Sequence, residues 1–127
     1  MLRKFLLLSF FFLFIFINNK SISEEFNFEG EEIEILNNGE KLKSNKGVKI
    51  TSSNGVVITA QEFEYDKNSS ELFVEKDVLV NDVINNTTIK TNKIKYVKNL
   101  EQIFTSDDTE IEIENKVFIK TKNLVYF

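Results

Sequence analysis

The 127-residue chain contains no His, Cys, Trp or Pro. Without His or Cys it has no thiol nucleophile, no histidine-based triad, no zinc site of the usual kind and no disulfide. Catalysis would fall to carboxylates, Lys, Ser, Thr or Tyr, and these would need a pattern of burial or pairing. A chain with 28% charged residues shows no such pattern, so the composition points away from an enzyme. One domain fits the length.

What is present divides into two parts. Arg3 and Lys4 precede an apolar run from Phe5 to Ile17, broken only by Ser9, and Ser21-Ile22-Ser23 follows. This is the layout of a secretory signal peptide over residues 1–23, with cleavage expected after Ser23. The run is short of the roughly 20 residues a membrane span needs, which favours a leader; an uncleaved N-terminal anchor, made tolerable by the six Phe residues of the run, is the alternative. Either way the remainder is expected to be exported, and a bacterial periplasm fits. Loss of Arg3, Lys4 and Lys20 leaves 13 basic against 20 acidic side chains, a net charge of −7. Such a surface repels nucleic acid, which is excluded as a partner. Burial alone must hold residues 24–127 together. The Asn-x-Ser/Thr matches beginning at Asn68, Asn85 and Asn86 read as turn chemistry rather than glycosylation.

Residues 24–127 repeat. Ile33 and Ile35, Phe63 and Tyr65, Ile94 and Tyr96, and Leu124 and Tyr126 form four apolar-x-apolar pairs spaced by 30 or 31 residues. Leu42, Leu72 and Ile103 share the register, as do Val48 with Val78, Ile50 with Val80 and Ile111, and Ile58 with Ile89 and Ile119. A period of that length means stacked supersecondary units. Within each unit the apolar residues lie two apart and are mostly Val, Ile, Phe and Tyr, which predicts strands over 58–60, 63–65, 72–74, 78–80, 94–96, 111–113 and 117–119. Polar segments at 37–40, 66–71 and 98–101 predict hairpin turns. Parity switches between Ala60 and Phe63, and again between Ile89 and Ile94, so the sheet should bend or bulge at the same place in every unit. The expected result is a folded trough, dry inside and wet outside; an ordinary filled β core fits the same pattern.

The run Val56-Val57-Ile58-Thr59-Ala60-Gln61-Glu62-Phe63-Glu64-Tyr65-Asp66, followed by Leu72 and by Val78-x-Val80, resembles the OstA-like domain family of lipopolysaccharide transport. In that family the domain occurs as a periplasmic bridge protein and as the N-terminal domain of an outer-membrane assembly protein. The resemblance covers residues 27–127 and is most specific in the I-x-A-x-x-x-x-Y-D run from Ile58 to Asp66. Later copies depart from it: Thr91 replaces the Ala, Val97 follows Tyr96, and Lys76 and Asp107 stand where the family often has Gly.

The resemblance implies an all-β, V-shaped β-jellyroll whose apolar interior shields the acyl chains of lipid A on the way to the outer membrane. The implied lining is Ile33, Ile35, Leu42, Val48, Ile50, Ile58, Ala60, Phe63, Tyr65, Leu72, Val74, Val78, Val80, Ile89, Ile94, Tyr96, Ile103, Ile111, Ile113 and Ile119. The implied partners are lipopolysaccharide and further β-jellyroll domains joined edge to edge, here through Leu124, Val125, Tyr126 and Phe127. No cofactor and no catalytic residue is called for. The chain is expected to be either a small bridge protein or the front end of a longer assembly protein.

Two other readings compete. One is a repetitive β scaffold or adhesion module with a filled core. The other is an enzyme built on Glu62, Glu64 and Asp66; on a strand these share the face opposite Phe63 and Tyr65, which makes a solvated outer face the better account. The segment Asp66–Glu71 lacks the Gly and spacing of an EF-hand and reads as a turn.

Overall fold

The computed structural model describes residues 26–127, all of them in strands and the turns between strands. The leader therefore lies outside the described residues. The strands are β1 (Phe26–Glu29), β2 (Glu34–Leu36), β3 (Lys41–Ser44), β4 (Val48–Ser52), β5 (Val56–Ala60), β6 (Glu62–Asp66), β7 (Glu71–Asp82), β8 (Thr87–Val97), β9 (Gln102–Thr105), β10 (Thr109–Ile113), β11 (Val117–Thr121) and β12 (Leu124–Tyr126). All pairings are antiparallel and join the strands into one open sheet.

The connectivity is a meander of long segments, each creased near its middle. Segment β3–β4 pairs with β5–β6, which pairs with β7, then β8, then β9–β10, then β11–β12, while β1–β2 lies outside β3–β4. The crease divides the sheet into two flaps. The first flap carries β1, β4, β5, the second half of β7, the first half of β8, β10 and β11. The second carries β2, β3, β6, the other halves of β7 and β8, β9 and β12. One thirty-residue repeat is thus one passage out and back across both flaps, with a hairpin at each end.

The crease follows from local backbone chemistry. In β7, Lys76 and Asp77 both take positive φ, 67° and 51°, and the register with β8 slips between Glu75 and Val78. Two residues of β7 there oppose the single Asn92 of β8, which makes a β-bulge: the buried positions stay even along β7, from Leu72 and Val74 to Val78 and Val80, while in β8 they switch from odd at Ile89 to even at Ile94. Hydrogen bonds continue along the fold line: Gly47 N donates to Gln61 O at 2.8 Å, and Gln61 N to Lys76 O at 3.0 Å. Next to it, a Cβ on Gly30 would meet the Gly47 carbonyl oxygen at 2.9 Å, so β1–β2 can turn the crease this tightly only with Gly there.

The predicted strands all fall within observed ones, and the predicted turns at 37–40, 66–71 and 98–101 are the hairpin ends of the second flap. Val, Ile and Thr side chains suit a pleated surface buried on one side, so the alternation in sequence becomes alternation between core and solvent.

Candidate functional site

The interior between the flaps is built from two rows of side chains running across the strands. In the first flap the row is Phe28, Ile50, Ile58, Val80, Ile89, Ile111 and Ile119, each directly opposite the next. In the second it is Ile35, Leu42, Tyr65, Leu72, Tyr96, Ile103 and Tyr126. Apart from Ile35 and Ile119, both rows belong to one hydrophobic cluster, so the flaps face each other.

Most of the residues expected to line the interior do so. Val48, Ile50, Ile58, Phe63, Tyr65, Leu72, Val74, Val78, Val80, Ile89, Ile94, Tyr96, Ile103 and Ile111 are buried, and Ile33, Leu42, Ala60 and Ile113 pack half-buried against them. Two do not. Ile35 and Ile119 keep the register of the rows, yet they are 69% and 40% exposed. Among the described residues each stands on an outermost strand of the sheet, paired on one side only. Of the expected assembly edge, Leu124 and Tyr126 turn inward, whereas Val125 and Phe127 face solvent.

The interior is filled. Ile50, Ile58, Leu72, Val74, Val80, Ile89 and Ile94 are at most 1% exposed, each contributing roughly 2 kcal/mol through burial. Part of the filling comes from residues that the sequence reading passed over. Phe26 and Phe28 of β1 hydrogen-bond through their strand to the first flap, but their rings lie against the second. Phe26 meets Tyr65 and Tyr96 edge-on, with centroids 5.5 and 5.2 Å away; Phe28 stacks on Phe63 at 5.1 Å and tilts against Tyr65 at 5.3 Å. The repeat already contained the clue, since Phe28, Ile58, Ile89 and Ile119 keep the same spacing, as do Phe26, Val56, Thr87 and Val117.

Tyrosine hydroxyls give the otherwise greasy interior a polar margin. Asn54, in the β4–β5 turn, donates to Tyr96 Oη at 3.4 Å, and Tyr126 Oη donates to Asp82 Oδ2 at 2.7 Å. Burial pushes the Asp82 carboxyl up, but hydrogen bonds from the Asn85 side chain, from Tyr126 and from the Asn85 and Ile84 backbone outweigh it and hold the group below the usual range. Burial, reinforced by Asp82, raises Tyr126; burial likewise raises Tyr65, partly offset by a hydrogen bond to Ser70. A cleft of about 200 Å³ opens at this margin, lined by Asn54, Val56, Asp82, Ile84, Tyr96, Ile103 and Tyr126 among others.

The outer face is charged and paired. Lys43 with Glu34, Lys41 with Glu64, Lys95 with Glu71, Lys93 with Glu75 and Lys120 with Glu110 form ion pairs between neighbouring strands. Glu62, Glu64 and Asp66 alternate with buried Phe63 and Tyr65 and so lie on this face; Asp66 accepts the Asn68 and Ser69 amides of its turn. A groove of about 640 Å³ crosses it, lined by Glu32, Glu34, Lys43, Glu62, Glu64, Phe73 and Glu75 among others. Among the described residues no cluster of acidic side chains is arranged to hold a metal ion. No family model matches the chain, and no curated protein matches it.

Proposed function

We propose that this chain is a lipid-holding domain of lipopolysaccharide transport, shielding acyl chains between its two flaps while sugars and phosphates stay outside. The observation that carries the reading is the segregation across one creased sheet: two rows of mostly apolar residues inside, paired charges outside. Each methylene taken from water contributes roughly 0.8 kcal/mol, so an acyl chain between such flaps needs no catalytic group to be held. The V-shaped β-jellyroll of the OstA-like family is the finer fold this reading entails, and a periplasmic setting follows from the leader. The two exposed ends of the inner rows, Ile35 on β2 and Ile119 on β11, fit a domain whose outermost strands pair with further domains of the same kind.

Crosslinking to purified lipopolysaccharide tests it, with a photoreactive residue at Leu42 on the inner row or at Glu64 on the outer face. Crosslinks from position 42 alone are expected. Crosslinks from neither, or equally from both, would overturn the reading.

A second reading is a structural β scaffold with a closed core. It is favoured by the near-zero exposure of Leu72, Val74, Val80 and Ile89, which fill the interior without a ligand.

A further inference from the structure

We propose that strand β1 is a displaceable plug, and that the ligand slot is the space its two phenylalanines now occupy. The inference rests on the lipid-holding reading and says where in the interior a linear alkyl chain goes and what it must move. Three observations carry it.

The backbone of β1 belongs to one flap and its side chains serve the other. Its ladder runs along β4, from Phe26 opposite Ser52 to Glu29 opposite Lys49. Its rings contact Phe63, Tyr65 and Tyr96 of the second flap at 5.1 to 5.5 Å. Phe26 and Phe28 therefore fill the space between the flaps at this edge, and together they carry about as many carbons as one medium-length acyl chain.

The strand is also weakly held. Among the described residues it is four residues long and pairs on one side only, and both phenylalanines are half-buried, whereas Ile50 beside Phe28 is 1% exposed. Short outer strands with one ladder are where local opening costs least. The plug has a pivot as well: Gly30 follows it directly and packs against the Gly47 carbonyl at the crease.

Displacing β1 would leave a slot walled by Ile50 and Ile58 on one side and by Phe63, Tyr65 and Tyr96 on the other, closed at its far wall by the rest of the core. An alkyl chain entering there replaces ring contacts with methylene contacts, and the freed β1 exposes the edge of β4.

The test measures binding of n-dodecyl-β-maltoside, below its critical micelle concentration, by isothermal titration to the protein purified from a host that exports it. The double variant Phe26→Ala with Phe28→Ala should bind the probe more tightly by about tenfold, the gain being set by how rarely β1 is out of the slot in the unaltered protein. A second pair, Asn27→Cys with Thr51→Cys, joins facing positions of β1 and β4 on the outer face, and the absence of native cysteine makes that disulfide the only possible one. Oxidised, it should bind several-fold more weakly than when reduced. If the unaltered protein binds the probe while the alanine variant shows no gain, or while oxidation changes nothing, the plug is wrong and the lipid-holding reading stands. If the unaltered protein, the reduced pair and the alanine variant all fail to bind, both fall. The cysteine pair decides the matter should the alanine variant fail to fold.

Discussion

Tyr126 and Asp82, 44 positions apart, meet across the two flaps in a 2.7 Å hydrogen bond from the phenol to the carboxylate. Asp82 ends the β7 half that lies in the first flap, and Tyr126 lies on β12 of the second, so the bond ties the last strand to the opposite flap. Hydrogen bonds to a charged acceptor contribute about 1.5–3 kcal/mol when buried. Replacing Tyr126 with Phe keeps the ring and removes the bond, and should cost about 1–2 kcal/mol in urea denaturation, given that Tyr126 is only half-buried. An unchanged midpoint would show that the bond contributes nothing to stability.

The same pair sets a pH dependence. The Asp82 carboxyl is held below the usual range, so its contribution is present at neutral pH and is lost as pH falls below about 4 toward the lowered value. Tyr126 is raised, so its contribution is complete below the ordinary phenol value of about 10 and is lost as pH climbs beyond it. Denaturation midpoints followed from pH 7 down to pH 2 should fall less steeply in Tyr126→Phe than in the unaltered protein. Parallel acid limbs would refute the assignment.

Lys76 bends β7 at a cost. Its φ of 67° is a conformation that a side chain disfavours and glycine adopts freely. Lys76→Gly should raise stability by about 1 kcal/mol, because relief of the left-handed strain outweighs the added freedom of the unfolded chain. Its exposed ion pair with Glu62 is screened by solvent and should not reverse the sign. A lower denaturation midpoint for the glycine variant would show that the bulge is not strained.

Ile58 and Ile119 occupy equivalent repeat positions and the same inner row, but they are 1% and 40% exposed. Ile58→Ala should therefore cost about 3–4 kcal/mol and Ile119→Ala about 1 or less. Equal losses would mean that β11 is covered in solution.

The outermost segment β11–β12 leaves Val117, Ile119 and Val125 exposed beside a ladder that is unpaired among the described residues. Sedimentation velocity over a range of concentrations should show self-association that Ile119→Lys combined with Val125→Lys reduces, since charge on an edge strand opposes pairing. A protein that stays monomeric at high concentration, with or without these substitutions, would exclude this edge as an assembly surface.

The sequence by itself determined six of the twelve described strands, β5 to β8 with β10 and β11, the hairpin turns of the second flap at 37–40, 66–71 and 98–101, and the position of the crease. Side-chain parity is a local property: the switch between Ala60 and Phe63 has to appear as a bend in any antiparallel sheet that keeps Ile58 and Tyr65 inside. The thirty-residue period likewise made Leu42, Leu72 and Ile103 equivalent before any contact between them was known.

Only the tertiary structure decided how full the interior is and which of its members reach water. Ile35 and Ile119 share the repeat positions of Tyr65 and Ile58, and exposure separates them because burial depends on a neighbouring strand and a facing flap, neither of which a repeat encodes. The same holds for Phe26 and Phe28. Their spacing marks them as inward-facing, but only the close approach of β1 to the opposite flap sets their rings against Phe63, Tyr65 and Tyr96. Tyr126 and Asp82 illustrate the limit most plainly, since a hydrogen bond between residues so far apart in the chain exists only once the crease has brought the flaps together.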